Sequence, residues 1–219
     1  MEQKKYTTIV FDCDGTLLDS LMDLYVSTNY ALEKSGFPER SYDEVRRFVG
    51  NGVKLLMERA VPQGTSEEEF SKCYACFKEH YARNCGTTTR PYEGIMDMLK
   101  ALQEKGYKLA LVSNKPDGQV QTLNDDFFKH YIHVAIGEQE DKGIRKKPAP
   151  DMVEEALRRL GSTKSESVYV GDSDVDVATG KNSGLDCISV LWGFRDKDFL
   201  IAHGATVFIE QPLDILELV

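Results

Sequence analysis

Thr7-Thr8-Ile9-Val10-Phe11-Asp12-Cys13-Asp14-Gly15-Thr16-Leu17 is the stretch on which the reading of the whole chain turns. Residues 7–11 are β-branched or aromatic, which predicts a short buried strand. The apolar run stops at Asp12. Residues i and i+2 of an extended segment point the same way, so Asp12 and Asp14 can face one site. Two like charges this close call for a cation beside them. A donor set made only of oxygen selects Mg2+ or Ca2+ over Zn2+. Gly15 lets the chain turn tightly behind the pair. On their own, two acids at this place would equally suit the cap of a following helix.

Working outward, apolar runs of the same kind recur at 108–112, 133–136, 167–170, 187–191 and 206–209. Helical patterns lie between them. The stretch 93–105 carries Ile95, Met98, Leu99 and Leu102 on one stripe and stops at Gly106. The stretch 151–160 carries Val153, Ala156, Leu157 and Leu160 and stops at Gly161. Strands alternating with helices of this length predict an α/β fold with a mainly parallel sheet covered on both faces. One region breaks the alternation. No strand is legible from 18 to 85, where helices are predicted at 21–34, 42–49, 53–60 and 66–85. The expected architecture is therefore a Rossmann-like α/β core of residues 1–17 and 86–219, with an inserted all-α module at 18–85.

Three more segments carry candidate chemistry. Tyr169-Val170-Gly171-Asp172-Ser173-Asp174-Val175-Asp176 ends a predicted strand in a glycine and a run of acids. A helix N-terminus accounts for one or two of those acids but poorly for three. Leu111-Val112-Ser113-Asn114-Lys115 ends a strand in small polar residues, where the Ser113 hydroxyl and loop amides are placed to meet a phosphate oxygen. In Arg145-Lys146-Lys147-Pro148-Ala149-Pro150-Asp151 the prolines stiffen the chain around Lys147. Ligands of open α/β sheets sit beyond the carboxyl ends of the strands, so Asp12, Ser113 and Asp172 are expected around one crevice. Trp192-Gly193-Phe194 is read as a loop after the strand at 187–191, and the four histidines belong to no motif.

Charge and composition narrow the ligand. The net charge of −9 repels phosphate backbones, so nucleic acid is not the expected partner. The apolar run 109–112 falls far short of the ~20 residues of a membrane span, and the run 9–11 is too short for a signal peptide. Five cysteines, an odd number, read as reduced thiols and point to the cytosol. Cys73-x-x-Cys76 has no second pair of ligands at matching spacing, so zinc is not expected there. Nothing in the sequence speaks to oligomeric state.

Taken in order, Asp12-x-Asp14-Gly15-Thr16, Ser113-Asn114, Lys147-Pro148-x-Pro150 and Gly171-Asp172-Ser173-x-x-Asp176 resemble the motifs of the haloacid dehalogenase superfamily. The helical insert resembles the C1-type cap of its phosphoglycolate phosphatase-like branch, and Phe48-Val49-Gly50-Asn51-Gly52 and Ser113-Asn114-Lys115-Pro116 point the same way. The resemblance implies a Mg2+-dependent phosphatase that works through an aspartyl-phosphate, with 2-phosphoglycolate as the expected substrate. It implies Asp12 as nucleophile and Asp14 as acid and base. Mg2+ would be held by Asp12, Asp14 (through its backbone carbonyl) and Asp172. Ser113 and Lys147 would hold phosphate oxygens, with Asn114 beside them, and Asp176 would support Lys147 or the metal's outer shell. The second acid Asp14 argues against a dehalogenase, which needs no proton donor, and against a receiver-like phospho-accepting switch. Other sugar, nucleotide or pyrophosphate hydrolases and phosphomutases of the branch remain alternatives.

In the insert, Gly50, Asn51 and Gly52 directly precede the predicted helix 53–60, with Lys54 close by. Free amides at a helix start attract anions. These four residues are the expected contacts to a second anionic group on the substrate, with a plain helix–helix turn as the competing explanation.

Overall fold

The computed structural model describes residues 6–219. The opening apolar run forms β1 (Thr8–Phe11), all of it buried. The other runs form β4 (Lys108–Pro116), β5 (Val134–Glu138), β6 (Ser167–Gly171), β7 (Asp186–Val190) and β8 (Val207–Ile209). They pair in the order β5-β4-β1-β6-β7-β8, and every pairing is parallel. β1 lies between β4 and β6, with Phe11 level with Leu111 on one side and Val170 on the other. Chain order therefore runs outward in both directions from β1, which puts a ligand crevice at the carboxyl ends of β1, β4 and β6.

Helices α5 (Ile95–Glu104), α6 (Asp117–Leu123), α7 (Asp151–Leu160), α8 (Asp174–Ser183) and α9 (Lys197–Ala202) belong to the same unit. α7 lays Met152, Val153, Ala156 and Leu157 on Val10, Ala110, Val112, Val134 and Ile136. The alternate strand residues Ile9, Phe11, Leu109 and Leu111 point to the opposite face and are buried too. Both faces are thus covered, as continuous apolar strands require. α6 and α9 are only seven and six residues long and α8 carries no strong apolar stripe, so the sequence pattern does not mark them. Leu123 is followed by a π-type turn, Asn124–Phe128.

The helical insert contains α1 (Leu21–Lys34), α2 (Tyr42–Phe48), α3 (Val53–Ala60) and α4 (Glu67–Asn84). Ser41 and Ser66 open α2 and α4 with reciprocal caps, each accepting from the amide three residues on while a glutamate returns to the serine amide. The chain divides after Leu18 and again after Arg90 into two compact units, so the helical unit runs from Asp19 to Arg90. Its far boundary lies beyond the expected Cys85. The reason is Asp23 on α1, whose carboxylate accepts from the amides of Gly86, Thr88 and Thr89 and from both threonine hydroxyls. The two short strands β2 (Leu18–Asp19) and β3 (Arg90–Pro91) form a separate two-stranded sheet at these boundaries. No helix among the described residues is long and apolar enough to cross a membrane.

Asp23 is 4% exposed, and burial alone would raise its pKa. The Thr88 and Thr89 hydrogen bonds outweigh burial and hold it below the usual carboxylate range. That stabilisation is present above the unfolded value of 3.8 and is lost as pH falls through the lower folded value. Asp23→Ala leaves those amides and hydroxyls without their acceptor. It should cost about 2–4 kcal/mol in urea unfolding at pH 7. A loss below about 0.5 kcal/mol would show that Asp23 does not tie the 86–90 segment to α1.

Candidate active site

Asp12 follows β1 directly, and its amide donates to Val170 O of β6 at 2.9 Å. Lys147 Nζ donates to Asp12 Oδ1 at 2.5 Å, to Asp176 Oδ1 at 2.8 Å and to the Tyr169 hydroxyl at 3.1 Å. Tyr169 in turn donates to Asp176 Oδ1 at 3.0 Å. All four side chains are buried. The ammonium is thus bound to residues from the end of β1, the middle of β6 and the start of α8.

Asp176 is fully engaged. Its Oδ2 accepts from the Ser173 hydroxyl at 2.6 Å and from the amides of Ser173 and Asp172. Gly171 is needed beside it, because a Cβ there would stand 2.3 Å from Asp176 Cγ. Asp172 lies on the other side of the turn. It accepts from the Thr16 hydroxyl at 3.2 Å and from the Phe194 amide at 2.7 Å. Gly15 and Gly193 pack against it so closely that a Cβ on either would come within 2.3 Å. The loop after β7 therefore holds Asp172 in place, aided by Trp192 Nε1 donating to Thr16 O at 2.9 Å.

Carboxylate oxygens of Asp12, Asp172 and Asp176 lie within 4.8 Å of one another. Burial and then Asp176 hold Asp12 well above the usual carboxylate range, in spite of Lys147. Burial, again with Asp176, pushes Asp172 up to about 7. Burial would lower Lys147, yet Asp12 and Asp176 outweigh it and keep the ammonium above the ordinary lysine range. Carboxylates outnumber ammonium groups in this cluster. An oxygen-only, anion-rich donor set fits a hard divalent cation. Asp176 is the most heavily engaged of the three, accepting from Lys147, Tyr169, the Ser173 hydroxyl and two amides, which leaves Asp12 and Asp172 as the better-placed ligands.

The remaining expected residues fall as follows. Ser113 is buried in β4, which continues to Pro116 rather than ending in a loop, and its hydroxyl oxygen accepts from the Lys115 amide at 3.2 Å. Asn114, expected as a substrate contact, turns its side chain to Lys147. Its Nδ2 donates to Lys147 O at 2.9 Å and its Oδ1 accepts from the Lys147 amide at 2.8 Å. Both ends of the amide thus clamp the Lys147 backbone, which makes Asn114 a positioning residue. Asp14 pairs with Lys115 Nζ at 3.1 Å. Lys115 and Tyr169 do not stand out in the sequence, whereas Trp192-Gly193-Phe194 is legible there as a loop after its strand.

Gly50, Asn51, Gly52 and Lys54 lie in the helical unit. Gly50 and Gly52 hold φ of 126° and 88°, so their glycine identity follows from backbone conformation alone. Asn51 Oδ1 accepts from Arg59 at 3.0 Å, and Lys54 is an exposed partner of Glu58 at 3.9 Å.

The chain is similar to known proteins over nearly its whole length. The family model described as haloacid dehalogenase-like hydrolase matches residues 9–190. A phosphoglycolate phosphatase of Aquifex aeolicus (strain VF5) is 35% identical over 211 residues, covering 96% of this chain and 95% of that one. A phosphoglycolate phosphatase of Vibrio parahaemolyticus is 30% identical, covering 100% and 98%. A crystal structure from Lactobacillus delbrueckii subsp. bulgaricus superposes with a TM-score of 0.92 at 37% identity, covering 98% of each chain. That of a predicted phosphoglycolate phosphatase from Haemophilus somnus superposes at 0.90 with 29% identity and the same coverage.

Proposed function

This chain belongs to the haloacid dehalogenase-like hydrolase family, and from that premise we propose that it hydrolyses small phosphate monoesters by way of Asp12, with 2-phosphoglycolate as its substrate. The observation that carries the reading is the buried Asp12 carboxylate at the end of β1, bound to Lys147 and crowded by Asp172 and Asp176. The substrate is supported by relatives that bear the name phosphoglycolate phosphatase along nearly their whole length.

Asp12 attacks phosphorus with a carboxylate oxygen, and the bond from phosphorus to the leaving oxygen breaks. Asp14 gives its proton to that oxygen. Asp14 then takes a proton from water, which attacks the aspartyl-phosphate, breaks the bond to Asp12 and releases phosphate. Lys147 and Ser113 meet the oxygens over which negative charge spreads. Asn114 and Tyr169 keep Lys147 in position, and Asp176 anchors its ammonium. Mg2+ would be held by Asp12, Asp172 and, as the resemblance implies, the backbone carbonyl of Asp14; when bound it offsets the repulsion between an anionic nucleophile and an anionic substrate. We place the chain in the cytosol, where its five free thiols stay reduced.

The substrate is tested by kcat/KM over a panel containing 2-phosphoglycolate, glucose 1-phosphate, a nucleoside monophosphate, pyrophosphate and p-nitrophenyl phosphate. 2-Phosphoglycolate should lead by at least about tenfold, the smaller end of pocket discrimination. Another ester in the lead would replace it.

The metal is tested through pH. Asp172 titrates at about 7 in the fold and from 3.8 when unfolded. Without metal, the folded form keeps its proton more tightly, and the stability this confers is lost as pH rises from 3.8 through 7. A divalent cation binds the ionised form and competes with that proton. Added Mg2+ should therefore raise the unfolding temperature of EDTA-treated protein more at pH 8 than at pH 6. An equal rise at both would remove Asp172 from the metal site.

A further inference from the structure

Lys115 is 3% exposed, and its ammonium stands 3.1 Å from Asp14 Oδ1. Among the described residues, Lys115 and Lys147 are the only buried lysines, and no arginine is buried. Taking an ammonium out of water is costly unless anions offset the loss. The place of Lys147 is explained by Asp12 and Asp176. Lys115 instead meets Asp14, whose side chain keeps 14% of its surface exposed while that of Lys115 keeps 1%.

The backbone is built to hold it there. The register of β4 against β5 breaks between Val112 and Pro116, and such irregularities re-aim side chains beside active sites. Gly137 of β5 packs directly on the segment, since a Cβ there would come within 2.3 Å of Asp117 Cα and 2.9 Å of Lys115 O. The Lys115 amide donates to Ser113 Oγ, tying the backbone of the lysine to that serine.

We propose that Lys115 is the specificity-determining residue of the site: its ammonium receives a carboxylate carried by the leaving group, so that phosphate esters of small hydroxy acids are preferred over esters of neutral alcohols. The proposal rests on the hydrolytic reading above. With phosphorus at Asp12 and the leaving oxygen at Asp14, Lys115 is the cation paired with Asp14. In 2-phosphoglycolate the carboxylate carbon is two bonds from the leaving oxygen, within reach of an ammonium that touches Asp14. A neutral leaving group offers that cation only a dipole.

The test is the ratio of kcat/KM for 2-phosphoglycolate to kcat/KM for 2-hydroxyethyl phosphate, which replaces the carboxylate by CH2OH. It is measured for the wild-type protein and for Lys115→Met, Lys115→Arg and Lys54→Met. Any general damage through Asp14 lowers both substrates and cancels in the ratio. Lys115→Met should lower the ratio at least ~30-fold, mainly through KM, while Lys115→Arg keeps most of it. If Lys115→Met does not fold, Lys115→Gln takes its place and should show the same loss. An unchanged ratio in the Lys115 variants overturns the proposal, as does a ratio that collapses only in Lys54→Met, which would assign the carboxylate to the helical unit. A wild-type enzyme that hydrolyses other phosphate esters but shows no preference for 2-phosphoglycolate over 2-hydroxyethyl phosphate overturns the substrate reading itself and leaves the phosphatase reading standing.

Discussion

Asp12→Asn protein should lose more than about three decades of turnover while keeping its fold, because an amide cannot form the covalent intermediate and no other group replaces it. The fold survives for an electrostatic reason. Lys147 retains Asp176 and the Tyr169 hydroxyl, so its ammonium is not stranded. Asp12 is itself held well above the usual carboxylate range by burial and by Asp176. Removing its charge therefore relieves repulsion as well as deleting an ion pair. Kinetics and thermal unfolding on the same preparation check both parts. Near-wild-type rates in pure Asp12→Asn protein would remove Asp12 as nucleophile.

Lys147→Met should be damaging in both respects. The ammonium is the cation between Asp12 and Asp176, and its removal leaves buried carboxylates facing each other with Tyr169. Breaking a buried pair by removing one partner costs about 3–5 kcal/mol, much of the stability of an ordinary domain. Rates should fall by at least about two decades, the scale seen when one donor to a charged transition state is deleted. Mg2+ should restore part of the lost stability, since it adds positive charge to the same acids. Urea unfolding with EDTA and with Mg2+ measures this directly. A variant as stable as wild type in EDTA would mean that the carboxylates do not depend on Lys147.

What the sequence disclosed follows from which interactions are local. Helices 21–34, 53–60 and 151–160 were legible to the residue, since apolar spacing and glycine or serine-bounded ends are local properties. Asp12, Asp172 and Lys147 were legible because each follows a strand or a stiffened turn in a recognisable string. Tyr169 was hidden within an apolar run as one more core residue; its hydroxyl matters only because the sheet brings it to Lys147, 22 positions earlier. Asn114 looked like a ligand contact because strand-end amides often are, yet its partner lies 33 residues on. Lys115 could not be told from a surface lysine until β4 was seen to run on to Pro116 and bury it beside Asp14. α6 escaped notice because it is short, contains Gly118 and follows a proline.

The most direct test of covalent catalysis at Asp12 is the stereochemical course at phosphorus. A phosphorothioate analogue of 2-phosphoglycolate, made chiral with oxygen isotopes, is hydrolysed in water carrying the third isotope. Transfer to Asp12 followed by attack of water inverts the centre twice, so the account predicts inorganic thiophosphate with retained configuration. Inverted product would mean that water attacks the substrate directly, and would contradict the assignment of Asp12 as nucleophile.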